Sequence, residues 1–305
     1  MTIPRRTGVW LILVVVLCLA HYLPGQNKNS QVPSFRVDVV SVFVKVAVMD
    51  PLDRYVTGLD KDNFKIYEDH VEQTITHFSQ ESAPVSVGLL FDVSGSMGYY
   101  GNIRMAKKDF MPFLESSQPD DEYFLVTFNK TVSLIQAFTE DSAEVQNQIT
   151  YQQAGGWTAL YDAVYMGLDH VKRGKNEKKA LVLITDGEDN SSRYRTGEVR
   201  EFCKESGVQI YAIGLPGPEG YGGGILRQLA KDTGGRVFFP DGFSGLDYFI
   251  DLIHTELRNQ YLVGYVPTNR ARDGKWRQIA VKLDAPRGFP KLSVRAKKGY
   301  FAPPN

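Results

Sequence analysis

The chain has 305 residues, 43% of them hydrophobic and 23% charged, a balance that excludes disorder for most of its length and fits one large domain or two unequal ones. Lys plus Arg and Asp plus Glu each number 35, so no global field gathers a polyanion and nucleic acid is not an expected partner. Cys18 and Cys203 are its only cysteines; a disulfide framework is excluded, and core burial must hold the fold.

Residues 1–20 place Arg5 and Arg6 ahead of an uncharged run from Gly8 to Ala20. This is the profile of a signal peptide, which directs the rest of the chain to the periplasm or out of the cell. The run is shorter than the roughly 20 apolar residues that span a bilayer, which favours cleavage after Ala20. Left uncleaved, it would tether the chain to a membrane with both arginines on the cytoplasmic side. Residues 21–34 are polar and irregular and read as a linker.

Residues 35–83 read as all-β. Valines alternate at 37 and 39, then at 40, 42, 44, 46 and 48, a strand whose phase slips by one at an expected bulge. Strands follow over 63–67 and 73–78, with Glu68, Asp69 and His70 turning the chain between them. This segment is too short to bury a core alone.

A different rhythm fills residues 84–260. Apolar strands at 85–91, 123–128, 132–138, 180–184, 208–213 and 236–239 alternate with amphipathic helices at 104–115, 143–149, 159–172, 196–206, 225–232 and 246–257. Strand followed by helix, repeated, implies a parallel sheet with helices on both faces. The 132–138 strand follows its predecessor too closely for a crossover, so one edge is antiparallel. Residues 261–305 return to β, with strands at 261–266, 279–283 and 292–296. The fold class expected is therefore α/β: a doubly wound, mostly parallel six-stranded sheet with one antiparallel edge strand. It is inserted in a small β-sandwich of about six strands built from the N- and C-terminal segments, an arrangement open to any domain whose termini lie close together.

In such a sheet ligands gather at the carboxyl ends of the strands. Three loops there carry hard oxygen donors: Asp92-Val-Ser94-Gly-Ser96-Met-Gly98, Gly155-Gly-Trp-Thr158 and Thr185-Asp186-Gly-Glu-Asp189. Extended backbone points Asp92, Ser94 and Ser96 to one side. The metal ligands expected are Asp92, Ser94, Ser96, Thr158 and Asp186. Two carboxylates and three hydroxyls suit Mg²⁺, with Mn²⁺ or Ca²⁺ as alternatives, and leave a position for an incoming anion. A bare Asp-x-Ser-x-Ser is a weak signal that an ordinary capped turn would also give; its place after an apolar strand, with the other two loops at the same rim, is what raises it.

On these residues the segment 84–260 resembles a von Willebrand factor type A domain, and Asp92, Ser94, Ser96, Thr158 and Asp186 match its metal-ion-dependent adhesion site. The flanks, including 56–64, 68–78, 261–265 and 298–300, resemble an exported bacterial family related to this domain and named for Acidobacteria. The resemblance implies that Ser94, Ser96 and Thr158 ligate the metal directly or in a switchable way. Asp92 and Asp186 would act largely through bound water, and an Asp or Glu carboxylate of a protein partner would complete the shell. Family members commonly have glycine where this chain has His70, a difference expected to affect only a turn.

Rival readings are weaker. A Mg²⁺-dependent phosphohydrolase with Asp92 as nucleophile is the alternative function, but such enzymes carry a second carboxylate where Ser94 stands, and no acid/base or phosphate-gripping Lys is evident. The five histidines lack zinc-ligand spacing, and Ser94 and Ser96 lack the Gly-x-Ser-x-Gly frame of a hydrolase elbow. The glycine-rich stretch 217–224 has Ile225 where a dinucleotide loop needs its third glycine, and Gly174-Lys175 follows a helix and so fails as a phosphate loop. No small-molecule cofactor and no catalytic residue is expected. Tyr99, Tyr100 and Trp157 are expected to pack the loops together; partner anchoring is their other reading. Cys203 reads as a small core residue of a helix.

Overall fold

The computed structural model describes residues 41–80, 83–217, 222–240 and 246–304. The expected signal peptide, the linker, the strand start at 35–40 with its bulge, and the middle of the glycine-rich stretch lie outside the described residues.

The central sheet holds β5 (Val85–Asp92), β6 (Glu122–Phe128), β7 (Val132–Thr139), β8 (Lys178–Thr185), β9 (Gln209–Gly214) and β10 (Val237–Phe238), in the order β10-β9-β8-β5-β6-β7. All pairs are parallel except β6 with β7. β5, β6 and β9 are buried at every residue, because helices cover both faces and a near-continuous apolar run is what a doubly covered strand requires. Val87, Leu89 and Phe91 of β5 face a cluster with Phe110 and Phe113 of α1 (Asn102–Glu115), Val145 and Ile149 of α2 (Ser142–Thr150) and Ile250 and Ile253 of α6 (Leu246–Arg258). Leu90 faces the other cluster, with Leu168 of α3 (Leu160–Val171), Val199 and Cys203 of α4 (Thr196–Ser206) and Leu226 and Leu229 of α5 (Gly223–Thr233). Between them Gly88 is a packing necessity: a Cβ there would lie 2.2 Å from the Phe124 ring and 2.6 Å from Leu181.

Among the described residues, eight flanking strands, two more than expected, form two four-stranded antiparallel sheets. One has the order β13-β1-β11-β4 and contains β1 (Val42–Met49), β4 (Ile75–Ser79), β11 (Tyr261–Tyr265) and β13 (Ser293–Ala296). The other, β14-β12-β2-β3, contains β2 (Phe64–Glu68), β3 (Val71–Gln73), β12 (Trp276–Leu283) and β14 (Gly299–Phe301). β3 and β14 have three residues each, too few to show a period. The two chain ends are interleaved: β11 lies between β1 and β4, with Val263 opposite both Val44 and Phe78. Val44, Val46, Phe64, Ile66, Tyr261 and Ile279 share one core between the sheets.

Glu256 of α6 bolts this layer to the α/β sheet. It accepts hydrogen bonds from Tyr55 (2.5 Å), Tyr211 (2.9 Å) and Arg295. Close by, Arg258 pairs with the buried Asp121.

Candidate metal centre

The chain runs from β5 outward through β6 and β7, then returns to place β8 on the other side of β5. The β5/β8 boundary is the switch point of the sheet, where strand ends diverge and leave a crevice. Asp92 ends β5 and Asp186 follows β8, with Phe91 opposite Ile184 in register.

The first loop is held by its own side chains. Asp92 Oδ1 accepts the Ser94 amide at 2.8 Å, and the Ser94 and Ser96 hydroxyls stand 3.0 Å apart. Asp92 and Ser94 are fully buried while Ser96 is only partly so, which makes Ser96 the outermost of the three. Across the crevice the Thr185 hydroxyl donates to Asp92 Oδ2 at 2.6 Å and itself accepts the Gly187 amide.

The second loop is strapped to the first by backbone. Gly155 N–H donates to the Val93 carbonyl and Gly95 N–H to the Gly156 carbonyl, both at 2.8 Å. Gly156 has φ +86°, a left-handed conformation that glycine adopts at little cost. Thr158 is buried; its amide donates to Asn190 Oδ1 at 2.8 Å and its carbonyl accepts the amides of Asn190 and Ser191. Asn129, following β6, donates to the Gly155 carbonyl at 2.9 Å and accepts the Ala159 amide on its own carbonyl. Five candidate residues from three distant loops are thus held on one interlocked rim.

Asp186 carries the informative feature. It is fully buried, its Oδ1 accepts the Glu188 amide at 3.3 Å, and its Oδ2 is buried without a hydrogen-bond donor. Such an orphaned acceptor is costly unless a cation meets it. Burial pushes the Asp92 carboxyl up to about 7; the hydrogen bonds from Thr185 and Ser94 oppose that rise, and the Asp186 charge adds to it. Two buried carboxylates close enough for one charge to act on the other, with hydroxyls in the same loops, form an all-oxygen donor set that fits a hard dication. Among the described residues no group of three or more His, Cys, Asp or Glu side chains could hold a metal; here hydroxyls accompany the two carboxylates.

Thr185, Asn129 and Asn190 support the rim and were not singled out by sequence, where they look like ordinary strand-end and loop residues. The only signal was Thr185 immediately before Asp186. The aromatic residues correct an expectation: Tyr99, Tyr100 and Trp157 are 58%, 61% and 63% exposed, so they stand out from the loops more than they pack them. Cys203 is buried on α4, and burial pushes its thiol up to about 12.

The model of the von Willebrand factor type A domain matches residues 86–251. Over 146 residues the chain is 27% identical to an uncharacterized protein of Borreliella burgdorferi, covering 45% of this chain and 42% of that one. It is 23% identical over 187 residues to inter-alpha-trypsin inhibitor heavy chain H4 of Bos taurus, covering 53% and 20%. The match thus spans less than half the length of either relative. In fold it is similar to a von Willebrand factor type A structure from Catenulispora acidiphila, with TM-score 0.52, 14% identity and coverage of 86% of this chain and 62% of that one. It is similar too to proximal thread matrix protein 1 of the mussel byssus, with TM-score 0.52, 18% identity and coverage of 63% and 51%. The match extends over more than half of the chain and agrees with the sheet order described above: the chain belongs to the von Willebrand factor type A domain family.

Proposed function

We propose that the chain is an exported, metal-dependent protein-binding module. It captures an Asp or Glu side chain of a protein partner at a Mg²⁺ site held by Asp92, Ser94, Ser96, Thr158 and Asp186. The observation that carries this reading is the buried, donorless Asp186 Oδ2 beside a second buried carboxylate and a hydroxyl pair. Membership of a family of protein-interaction modules supports it. Export rests on the N-terminal sequence; among the described residues no helix is long and apolar enough to cross a membrane.

The division of labour follows from burial. Asp92 and Asp186 supply negative charge from the floor of the crevice, and Ser96 presents its hydroxyl toward the opening. Thr185 and the Ser94 amide fix both oxygens of Asp92, so its carboxylate keeps one orientation. When bound, the ion supplies positive charge and directional coordination for an incoming carboxylate. Trp157, Tyr99 and Tyr100 would then flank the captured residue as apolar anchors.

The phosphohydrolase alternative fares poorly against the same geometry. An attacking carboxylate needs an oxygen free to reach phosphorus, whereas both oxygens of Asp92 accept hydrogen bonds and the side chain is wholly buried. A Mg²⁺-dependent phosphatase assay separates the readings: turnover abolished by Asp92→Asn would establish the enzyme. The binding reading is tested by capture of partners from outer-compartment extracts with and without chelator. Partners retained equally in EDTA would overturn it.

A further inference from the structure

Asp186 opens a stretch of chain, residues 186–192, that lies against the loop carrying Thr158. Asn190 Oδ1 accepts the Thr158 amide at 2.8 Å, and the Thr158 carbonyl accepts the amides of Asn190 and Ser191, both at 3.0 Å. The helix that follows Thr158, α3, has Ala159 at its N-cap and no side-chain cap of its own. Amides at a helix start need partners, and the same stretch supplies them. Ser192 Oγ accepts the amides of Tyr161 (3.0 Å) and Asp162 (3.2 Å) and donates to Asp189 Oδ1 at 2.5 Å.

Of these bonds to the Thr158 backbone, the one from its amide ends on a side chain, so a substitution can remove it. With its N–H and C=O both tied, Thr158 keeps one Cα–Cβ direction, and a β-branched residue has only a stiff χ1 with which to move its hydroxyl. Asn190 is exposed whereas Thr158 is buried. Asn190 therefore contributes little to the core, and replacing it reaches the site without unfolding the chain.

We propose that Asn190 is a positioning residue of the metal centre: it seats Thr158 as a ligand, so that one stretch of chain, 186–192, sets two of the five donors. This role rests on the metal-dependent reading above and adds to it a residue that acts through Thr158. Outer partners of this kind fix the orientation of the groups that ligate an ion, and their loss weakens metal binding without touching the ligands themselves.

The test titrates the metal-free full chain with Mn²⁺ in a calorimeter. Asn190→Ala should lower the affinity by about tenfold or more, with the circular dichroism spectrum of the parent. Asn190→Asp has the same shape and still accepts the Thr158 amide, so it should bind at least as tightly as the parent. The double variant Asn190→Ala, Ser191→Asp returns a negative charge one residue along but not the acceptor, and the loss should persist in it. A parent that binds no Mn²⁺ would overturn the metal reading and this role with it. If the parent binds, three results would overturn the role of Asn190 alone: parental affinity in Asn190→Ala, no recovery in Asn190→Asp, or full recovery in the double variant.

Discussion

The hydroxyl of Thr185 donates to Asp92 across 2.6 Å, joining two residues 93 positions apart in sequence at the ends of neighbouring parallel strands. This contact orients the one candidate carboxylate that lies within β5. Thr185→Val keeps the shape but removes the donor and leaves Asp92 Oδ2 unpaired. Mg²⁺ or Mn²⁺ affinity should fall by about 10- to 100-fold with the circular dichroism spectrum unchanged. An unaltered affinity by calorimetry would remove Thr185 from the site.

His70 offers a stability prediction independent of the site. β2 and β3 are joined by Asp69 and His70 alone, with Glu68 opposite Val71, and their φ values are +46° and +69°. A two-residue hairpin turn of this kind favours glycine at its second position. His70→Gly relieves left-handed strain of about 1–2 kcal/mol and loses about 0.5–1 kcal/mol to unfolded-state freedom. The net gain should raise Tm by about 1–3 °C. A lower Tm would mean that His70 makes a stabilising contact.

Lys45, a lysine of β1 whose amine is buried and donates to the Lys179 carbonyl, gives the fold a pH-dependent stability. Lys45 takes up a proton below about 7 when folded but below about 10.4 when unfolded. Between these values the unfolded state binds more protons, so raising the pH through this window favours the folded state; on acidification the stability so gained falls away from about 10.4 downward and is fully lost below about 7. Lys45→Met should melt higher than the parent by at least roughly 2–4 °C at pH 6, an advantage that shrinks steadily as the pH rises to 9 and vanishes only above about 10.4. A constant difference across that range would show that Lys45 is not titrating there.

Much of this was legible in the sequence because two periods differ so sharply. The mostly apolar run 85–91, too short for a helix and bounded by turn residues, reads as a strand covered on both sides, and the spacing of Phe110, Phe113 and Leu114 reads as the covered face of a helix. Asp92 and Ser94 were readable because a strand end and glycines coincide there; the alternation expected to carry on to Ser96 is not what places it, since Ser96 lies in the 3₁₀ turn Gly95–Gly101. Thr158 and Asp186 were readable because their loops fall at the same carboxyl end of the expected sheet as the first loop. Where the signal was short or distributed, it failed. The three residues of β14 carry no period, and Thr185 and Asn190 reveal their roles only through partners in other loops.

The most direct measurement is calorimetric titration of the metal-free chain with Mg²⁺ and Mn²⁺, alongside Ser96→Ala and Asp186→Ala. One dication should bind per chain, each substitution should abolish the heat, and both variants should keep the parental fold by circular dichroism. A parent that binds no dication, or an Asp186→Ala variant that binds as well as the parent, would contradict the assignment of the rim as a metal centre.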